Sequence, residues 1–308
     1  MDWTQRIRIR QLSVLVTLYE SRNMTMAASE VGMSQPALSK WLSELETELG
    51  GRLFERTTRG FKPTALCEQL IVHARAVVGE MERSKRTVRL VANGASSSLV
   101  IGTSPPAMPL LLPKAIHQFR ASRPHVHLEI VEGAMESLLP QLRSARLDFC
   151  VIRIEQPVFE QSIRYDVLYQ EEMRVVVGPK HPLASRRKLD WRDLSSVEWL
   201  GPAGGSPLRR ELEHEFALAG EPAPRYAVET SSMLMVASLL QEGTFVAAMS
   251  ARMADYFVAA KQVAVLPLDY QRRSGIGVLR LRNAQPTDDK KAFFDILKST
   301  GEAIERAS

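Results

Sequence analysis

Thr25–Lys62, TMAASEVGMSQPALSKWLSELETELGGRLFERTTRGFK, is the stretch on which the reading of this chain turns. Met26, Ala27 and Val31, then Leu38, Leu42 and Leu45, recur at helical intervals within two short segments, which puts one apolar stripe on each of two helices. Gly32 separates them, because only glycine takes a left-handed backbone at a helix end without a Cβ clash. Ser34 can offer its hydroxyl to the free N–H groups of the next helix, and Pro36 falls in the first turn, where a missing N–H costs nothing. The face left outside carries Gln35, Ser39, Lys40 and Ser43, short polar groups and one long cation, which suits a helix lying in a DNA major groove. Thr25, Ser34 and Pro36 stand beside that face. A helical hairpin with nothing more than a solvated face would show the same pattern.

The next residues separate the two readings. Leu49 to Thr64, LGGRLFERTTRGFKPT, reads as a turn, an apolar plug and a hairpin tip with four cations, Arg52, Arg56, Arg59 and Lys62. Cations on a loop beside a groove-reading helix are placed to neutralise phosphates. This stretch resembles the LysR-type transcriptional regulators in Ala27–Ala28, Ser34–Gln35–Pro36–Ala37–Leu38–Ser39, Leu45–Glu46, Leu49–Gly50, Leu53–Phe54, Arg56 and Thr64, all in order and at the family's spacing. Two positions depart from the family pattern. Met24 stands where a small polar helix starter is common, and Cys67 where glycine is common just after the threonine.

The 308 residues allow two or three domains with cores of their own, and 45% hydrophobic with 24% charged residues is ordinary for a soluble globular chain. No stretch is long and apolar enough to span a membrane. The N-terminus bears Asp2, Arg6, Arg8 and Arg10 with no apolar signal region behind them, so a cytoplasmic location is expected. The net charge of +5 is uneven: 14 Lys and Arg oppose 10 Asp and Glu in residues 1–94, leaving about +1 for the remainder. Two separated cysteines, Cys67 and Cys150, make neither a zinc site nor a disulfide framework, and no metal or cofactor is expected.

Ile7 to Ser21 has the pattern of a core helix beneath the two-helix unit. After the wing, Thr64 can cap a helix running to about Ala92. Leu66, Leu70, His73, Val77, Met81, Ser84, Val88 and Val91 advance along it by steps of four and three, the seam of a coiled coil. At 1.5 Å per residue it would be roughly 40 Å long, and a single apolar seam on so long a helix points to dimerisation. The alternative is a helix lying on the C-terminal domain. Resemblance to the family implies the dimer, and beyond it a tetramer.

Asn93–Gly94–Ala95–Ser96–Ser97–Ser98 is a flexible break. From Leu99 onward strand and helix patterns alternate, which argues for a mostly parallel sheet with helices on its faces. The pattern changes over Tyr165–Glu172 and a second set begins at Met173. The expected fold is therefore an N-terminal all-α winged helix-turn-helix with a long linker helix, followed by an α/β two-lobed domain. The boundaries fall at 1–64 for the head, 65–94 for the linker helix and 95–308 for the regulatory domain, with lobe I about 95–168 and 270–308 and lobe II about 169–269. Residues 95–308 resemble the effector-binding domain of the same family, similar in fold to periplasmic solute-binding proteins.

In open α/β sheets ligands sit beyond the carboxyl ends of the strands, beside helix N-termini. That rule selects Thr103, Ser104 and Gly133, with Arg153 past a third strand as either a surface cation or an anchor for a carboxylate or phosphate. On the second lobe it points to Ser206 and Pro207 in a glycine-rich loop, Thr230 and Ser231, and Thr244 and Phe245 across a short loop. Each hydroxyl taken singly reads first as a helix cap. Taken together they point to a small polar metabolite, and the chain also resembles the subgroup tied to sugar and aromatic-acid catabolism. An enzyme is disfavoured: the sequence has no His-Glu metal spacing, nucleophile elbow, Walker loop or dinucleotide fingerprint, and no catalytic residue is named. A ligand-independent DNA-organising protein stays open at this level. The resemblance implies double-stranded promoter DNA, a small-molecule effector, further copies of the chain and RNA polymerase as partners, and often activation with autorepression.

Overall fold

The computed structural model describes residues 7–57, 60–92, 96–154, 162–270, 273–282 and 287–307. The chain divides into two compact units, Met1–Ser98 with Leu139–Leu147, and Leu99–Leu138 with Asp148–Ser308.

The first unit opens with helices α1 (Ile9–Ser21), α2 (Met24–Glu30) and α3 (Gln35–Leu49), continues through a two-stranded antiparallel hairpin of β1 (Phe54–Thr57) and β2 (Gly60–Pro63), and ends in the long helix α4 (Ala65–Ala92). Asn23 caps α2, its side chain accepting from the Thr25 and Met26 N–H groups at 2.9 and 3.1 Å. Met24 is therefore the first helical residue and is buried. This start sets the phase of the helix. Met24, Ala27 and Ala28 face the core, whereas Met26, expected in the stripe, is 56% exposed. Gly32 has φ +68°, the left-handed conformation that the turn between α2 and α3 requires. Leu15, Leu18, Leu38, Leu53 and Ile71 are fully or almost fully buried together, and each contributes about 1.5–3 kcal/mol by leaving water.

Thr64 caps α4 by accepting from the Cys67 N–H at 3.3 Å. The helix has two apolar faces. Cys67, Ile71, Ala74 and Val78 are buried in the core shared with α1. Leu66, Val77, Met81, Val88 and Val91, members of the expected seam, are exposed.

The chain continues with β3 (Ser97–Thr103), α5 (Leu111–Ser122), β4 (Val126–Glu132), α6 (Met135–Arg143), β5 (Phe149–Ile154), β6 (Ile163–Val177), β7 (Glu198–Gly201), α7 (Pro207–Leu218), β8 (Tyr226–Glu229), α8 (Met233–Leu240), β9 (Phe245–Ser250), α9 (Ala251–Ala259), β10 (Ala264–Val265), β11 (Arg273–Leu281) and α10 (Asp288–Arg306), all in the second unit except the first two residues of β3 and the part of α6 from Leu139. The strand order is β4-β3-β5-β11-β6-β9-β7-β8, with β10 on β6. β3 and β5 are parallel, as are β8, β7 and β9, while β11 and β6 run antiparallel to their neighbours. Two small parallel sheets are thus joined through one long strand. β6 pairs with β11 as far as Glu172 and with β9 from Met173. In the first half of β6, Ile163, Tyr165 and Val167 alternate with Arg164 and Asp166, but Tyr165 and Val167 are exposed and the alternation slips at the bulge at Leu168.

Each lobe has its own aromatic core. Phe119 and Phe149 pack on Phe293, with ring centroids 5.2 and 5.8 Å away. In the other lobe Trp191 and Trp199 pack on Phe216 at 5.3 and 5.5 Å. α9 has no counterpart among the expected elements, although Met253, Ala254 and Phe257 form its buried stripe.

Candidate functional site

The first candidate surface is the outer face of α3. Ser34 caps the helix, accepting from the Ala37 N–H at 3.3 Å, and Pro36 lies in its first turn. Leu38, Leu42 and Leu45 point into the core. With a period of 3.6 residues this rotation leaves the intervening positions outside, and Gln35, Pro36, Ser39, Lys40 and Ser43 share one shallow concavity. Glu44, Thr47 and Glu48 complete it. The Thr47 hydroxyl donates to the Ser43 carbonyl at 2.8 Å, and Lys40 reaches Glu44 at 3.9 Å, a loose pair between exposed side chains. Thr25 is exposed on α2, with its N–H held by Asn23.

The hairpin is fixed to this face by a side chain that motif matching names but does not explain. One carboxylate oxygen of Glu46 accepts from the Leu53 and Phe54 N–H groups at 2.7 and 3.2 Å. Thr64 donates its hydroxyl to the Arg52 carbonyl at 2.7 Å. The entry to the wing is thus tied to α3 and its exit to the start of α4. Arg52 and Lys62 are exposed. Arg56 sits on β1 opposite Phe61, but its side chain, like the whole of Arg59, lies outside the described residues.

The second candidate is a cavity of about 510 Å³ in the second unit, where the carboxyl ends of the parallel strands of both lobes converge. Ser104, Gly133 and Arg153 line it from one lobe, and Ser206, Pro207, Thr230 and Ser231 from the other. A Cβ on residue 133 would lie 2.6 Å from the Ser137 hydroxyl, so glycine lets the first turn of α6 close against the end of β4. Ser206 caps α7 through the Arg209 N–H at 3.3 Å. Thr230 accepts from the Ser232 N–H at 3.1 Å, and Ser232 in turn caps α8.

Three expected residues stand elsewhere. Thr103 is fully buried and donates its hydroxyl to the Val151 carbonyl at 3.0 Å, inside the sheet. Thr244 and Phe245 are outside the cavity lining. Thr244 immediately precedes β9 and Phe245 begins it, and β9 runs parallel to β7, so both lie at the end of the sheet opposite the cavity. The same strand-end rule, applied to the other end of β9, gives Met249 and Ser250, which do line the cavity. The wall also differs from the expected character. Met135, Leu200, Met233, Val236, Met249 and Met253 make much of it apolar.

Arg153 is 5% exposed, and its Nη1 donates to Glu211 Oε2 at 2.6 Å and to Ser274 Oγ at 2.7 Å. Glu211 belongs to α7 of the other lobe, so this buried pair ties the lobes together. Sequence gives no sign of it, since the partners are separated by 58 positions and Glu211 sits in a run of charged residues that reads as a solvated face. Nearby, burial holds the Glu171 carboxyl above its ordinary pKa, against the Arg252 N–H that donates to it at 2.8 Å and the positive charge of Arg153. Burial also pushes the Tyr169 phenol up.

A helix-turn-helix head with a wing, joined to a two-lobed α/β domain with a cleft at its strand ends, defines a class of DNA-binding regulators with a ligand-sensing domain. Residues 9–68 match the bacterial regulatory helix-turn-helix protein, lysR family, and residues 92–302 match the LysR substrate binding domain. The chain belongs to the LysR family of transcriptional regulators. It is 31% identical over 259 residues to the HTH-type transcriptional regulator GalR of Pseudomonas putida, covering 84% of this chain and 65% of that protein. Among solved structures, a variant of full-length OxyR from Pseudomonas aeruginosa is similar with a TM-score of 0.61 and 22% identity, over 96% of this chain and 95% of that one. Full-length CbnR complexed with its target DNA is similar with a TM-score of 0.57 and 22% identity, over 96% of this chain and all of that one (100%). At these identities the two structures bear on the fold. No helix among the described residues is long and apolar enough to cross a membrane.

Proposed function

We propose that this LysR-family regulator binds double-stranded promoter DNA as a dimer or higher assembly and senses a small metabolite in the cleft between its lobes, controlling a catabolic or metabolic operon from the cytoplasm. The observation that carries the proposal is the single exposed face of α3 on which Gln35, Ser39, Lys40 and Ser43 gather. Gln35 and Ser39 can read base edges, Lys40 a guanine or phosphate, and Arg52, Arg56, Arg59 and Lys62 the flanking backbone. The exposed seam of α4 supports pairing of two chains, and a two-fold dimer places two heads on two half-sites. Effector binding shifts the balance between lobe arrangements, and α4 carries the change to the spacing of the heads. RNA polymerase is the partner through which activation would act. No catalytic role is assigned to the chain.

Binding to promoter duplexes, measured by fluorescence anisotropy over a range of salt, tests the head. Gln35→Ala and Ser39→Ala should each lower discrimination against a mismatched half-site by about 1–3 kcal/mol. Arg56→Ala should weaken binding to every duplex and reduce the salt slope by about one. Unchanged affinity and slope in all three variants would remove α3 and the wing from the interface.

A further inference from the structure

We propose that Tyr19 and Arg22 are positioning residues for the wing, joining the middle of β2 to helices α1 and α4 so that the wing cations are held in register with the DNA phosphates. The inference rests on α3 and the wing forming the DNA-binding face, and adds two residues that set its geometry.

The base of the hairpin is fixed by Glu46 to α3 and by Thr64 at the start of α4. An isolated two-stranded hairpin is marginally stable, so one held only at its base pivots about it. Nearer the tip, the Phe61 N–H donates to the Arg22 carbonyl at 3.1 Å. Phe61 precedes Lys62, one of the wing cations, and stands opposite Arg56, another. This bond therefore sets the tilt of the strands that carry the cations.

Arg22 presents that carbonyl through an unusual backbone. It is the C-cap of α1, with φ 52° and ψ 16°, and its own N–H donates to the Leu18 carbonyl at 3.1 Å. A residue with a Cβ holds this left-handed conformation at a cost, so its surroundings must keep it there. The side chain supplies the hold. Its guanidinium lies 4.0 Å from the centre of the Tyr19 ring, about one helical turn back along α1. Arg75 of α4 brings a second guanidinium to the same ring at 4.9 Å and pairs with Glu20 at 3.2 Å. The Tyr19 hydroxyl donates to Glu68 Oε2, also on α4, at 2.7 Å. Tyr19 is thus clamped to α4 and holds Arg22 through its ring, and cation–ring contacts strengthen where water is partly excluded. The reading helix is anchored separately, by Leu38, Leu42 and Leu45 in the core. Loosening the joint accordingly shifts the phosphate contacts and leaves the base-reading side chains in place.

The test uses the full-length protein and two duplexes, one carrying half-sites enriched from a random library and one with the same bases scrambled, in anisotropy titrations over a range of salt. Tyr19→Leu should reduce the salt slope by about one or more, the loss expected for each phosphate contact given up, with the affinity ratio between the duplexes unchanged. Tyr19→Phe keeps the ring and should keep most of the slope. Arg22→Gln combined with Tyr19→Leu should cost no more than Tyr19→Leu alone, because both act through one joint. In free protein labelled at the phenylalanine amides, exchange at Phe61 should be faster by about tenfold in Arg22→Gln and in Tyr19→Leu. A wild-type slope in Tyr19→Leu overturns the proposal. So does a slope lowered by Arg22→Gln with unchanged Phe61 exchange, which makes Arg22 a direct phosphate contact. Loss of the affinity ratio along with the slope in Tyr19→Leu also overturns it, since the residue would then only support the fold of the head. If Tyr19→Leu does not fold, Phe61 exchange in Arg22→Gln decides, and an unchanged rate overturns the proposal. Wild-type protein that enriches no sequence and binds neither duplex in a salt-dependent way contradicts the DNA-binding face itself, and the proposal with it.

Discussion

Glu46 holds two N–H groups at the entry to the wing, so one carboxylate fixes the angle between the reading helix and the phosphate-facing hairpin. Glu46→Ala should cost about 1–3 kcal/mol, the range for leaving part-buried donors unsatisfied, and urea unfolding would measure it. Glu171 gives a pH signature. Its carboxyl is held above the ordinary value by burial, so the unfolded chain ionises first as pH rises. Its share of stability is complete below the ordinary carboxylate range and is lost as pH rises through the raised value. Glu171→Gln should therefore gain on the wild type as melts are moved from mildly acidic to mildly alkaline buffer, and parallel curves would refute this. Both thiols are pushed up to about 12, Cys150 by burial and Cys67 by burial first and then by the Glu68 carboxylate. Alkylation of native protein should accordingly be slow at neutral pH and rapid only in denaturant. Legibility at this scale depends on sequence separation. Gly32, Ser34 and Pro36 act on neighbours within three positions, and their roles can be read directly. The Arg153–Glu211 pair is made by tertiary packing alone, so sequence could mark Arg153 as an anchor but could not name its partner.

α4 is the element with the most to lose from a change on its outer side. Cys67, Ile71, Ala74 and Val78 bind it to the head, whereas Val77, Met81 and Val88 are exposed. Val88→Asp should leave the fold of the head intact, since residue 88 is 69% exposed, and should shift the chain toward monomer in analytical ultracentrifugation. An unchanged assembly would place the seam outside any interface. The two faces of α4 differ in how far sequence reveals them. The outer seam keeps steps of four and three, with two fours in succession from His73 to Met81, while the inner face includes Cys67 and Ala74, which carry little hydrophobic signal alone. β6 is the least legible strand, because its alternation slips at the bulge at Leu168 and its full length comes from the pairing with β11. The ends of β9 show a related limit: strand direction decides which end meets the cavity, and direction is a property of the whole sheet.

At the scale of the molecule, sequence conveys the order of parts better than the character of the cleft. Helix, turn, helix, wing, long helix and two α/β lobes can all be read from periodicity, caps and a motif whose spacing is local. The apolar wall of the cavity draws on α6, α8 and α9 and on the ends of β7 and β9, segments spread over more than a hundred positions, so no window of sequence contains it. The expectation of a small polar ligand rests on the hydroxyls at strand ends, and the methionines behind them add an apolar wall that the sequence does not display. The central claim concerns the output end, that α3 reads a specific duplex sequence in a two-fold arrangement. Selection of binding sites from a random duplex library by the full-length protein tests it most directly. The predicted result is an enriched, approximately palindromic pair of half-sites, with the enrichment lost in a Gln35→Ala, Ser39→Ala variant that still binds DNA in low salt. Enrichment of no sequence, or of the same sequence by the variant, would contradict it.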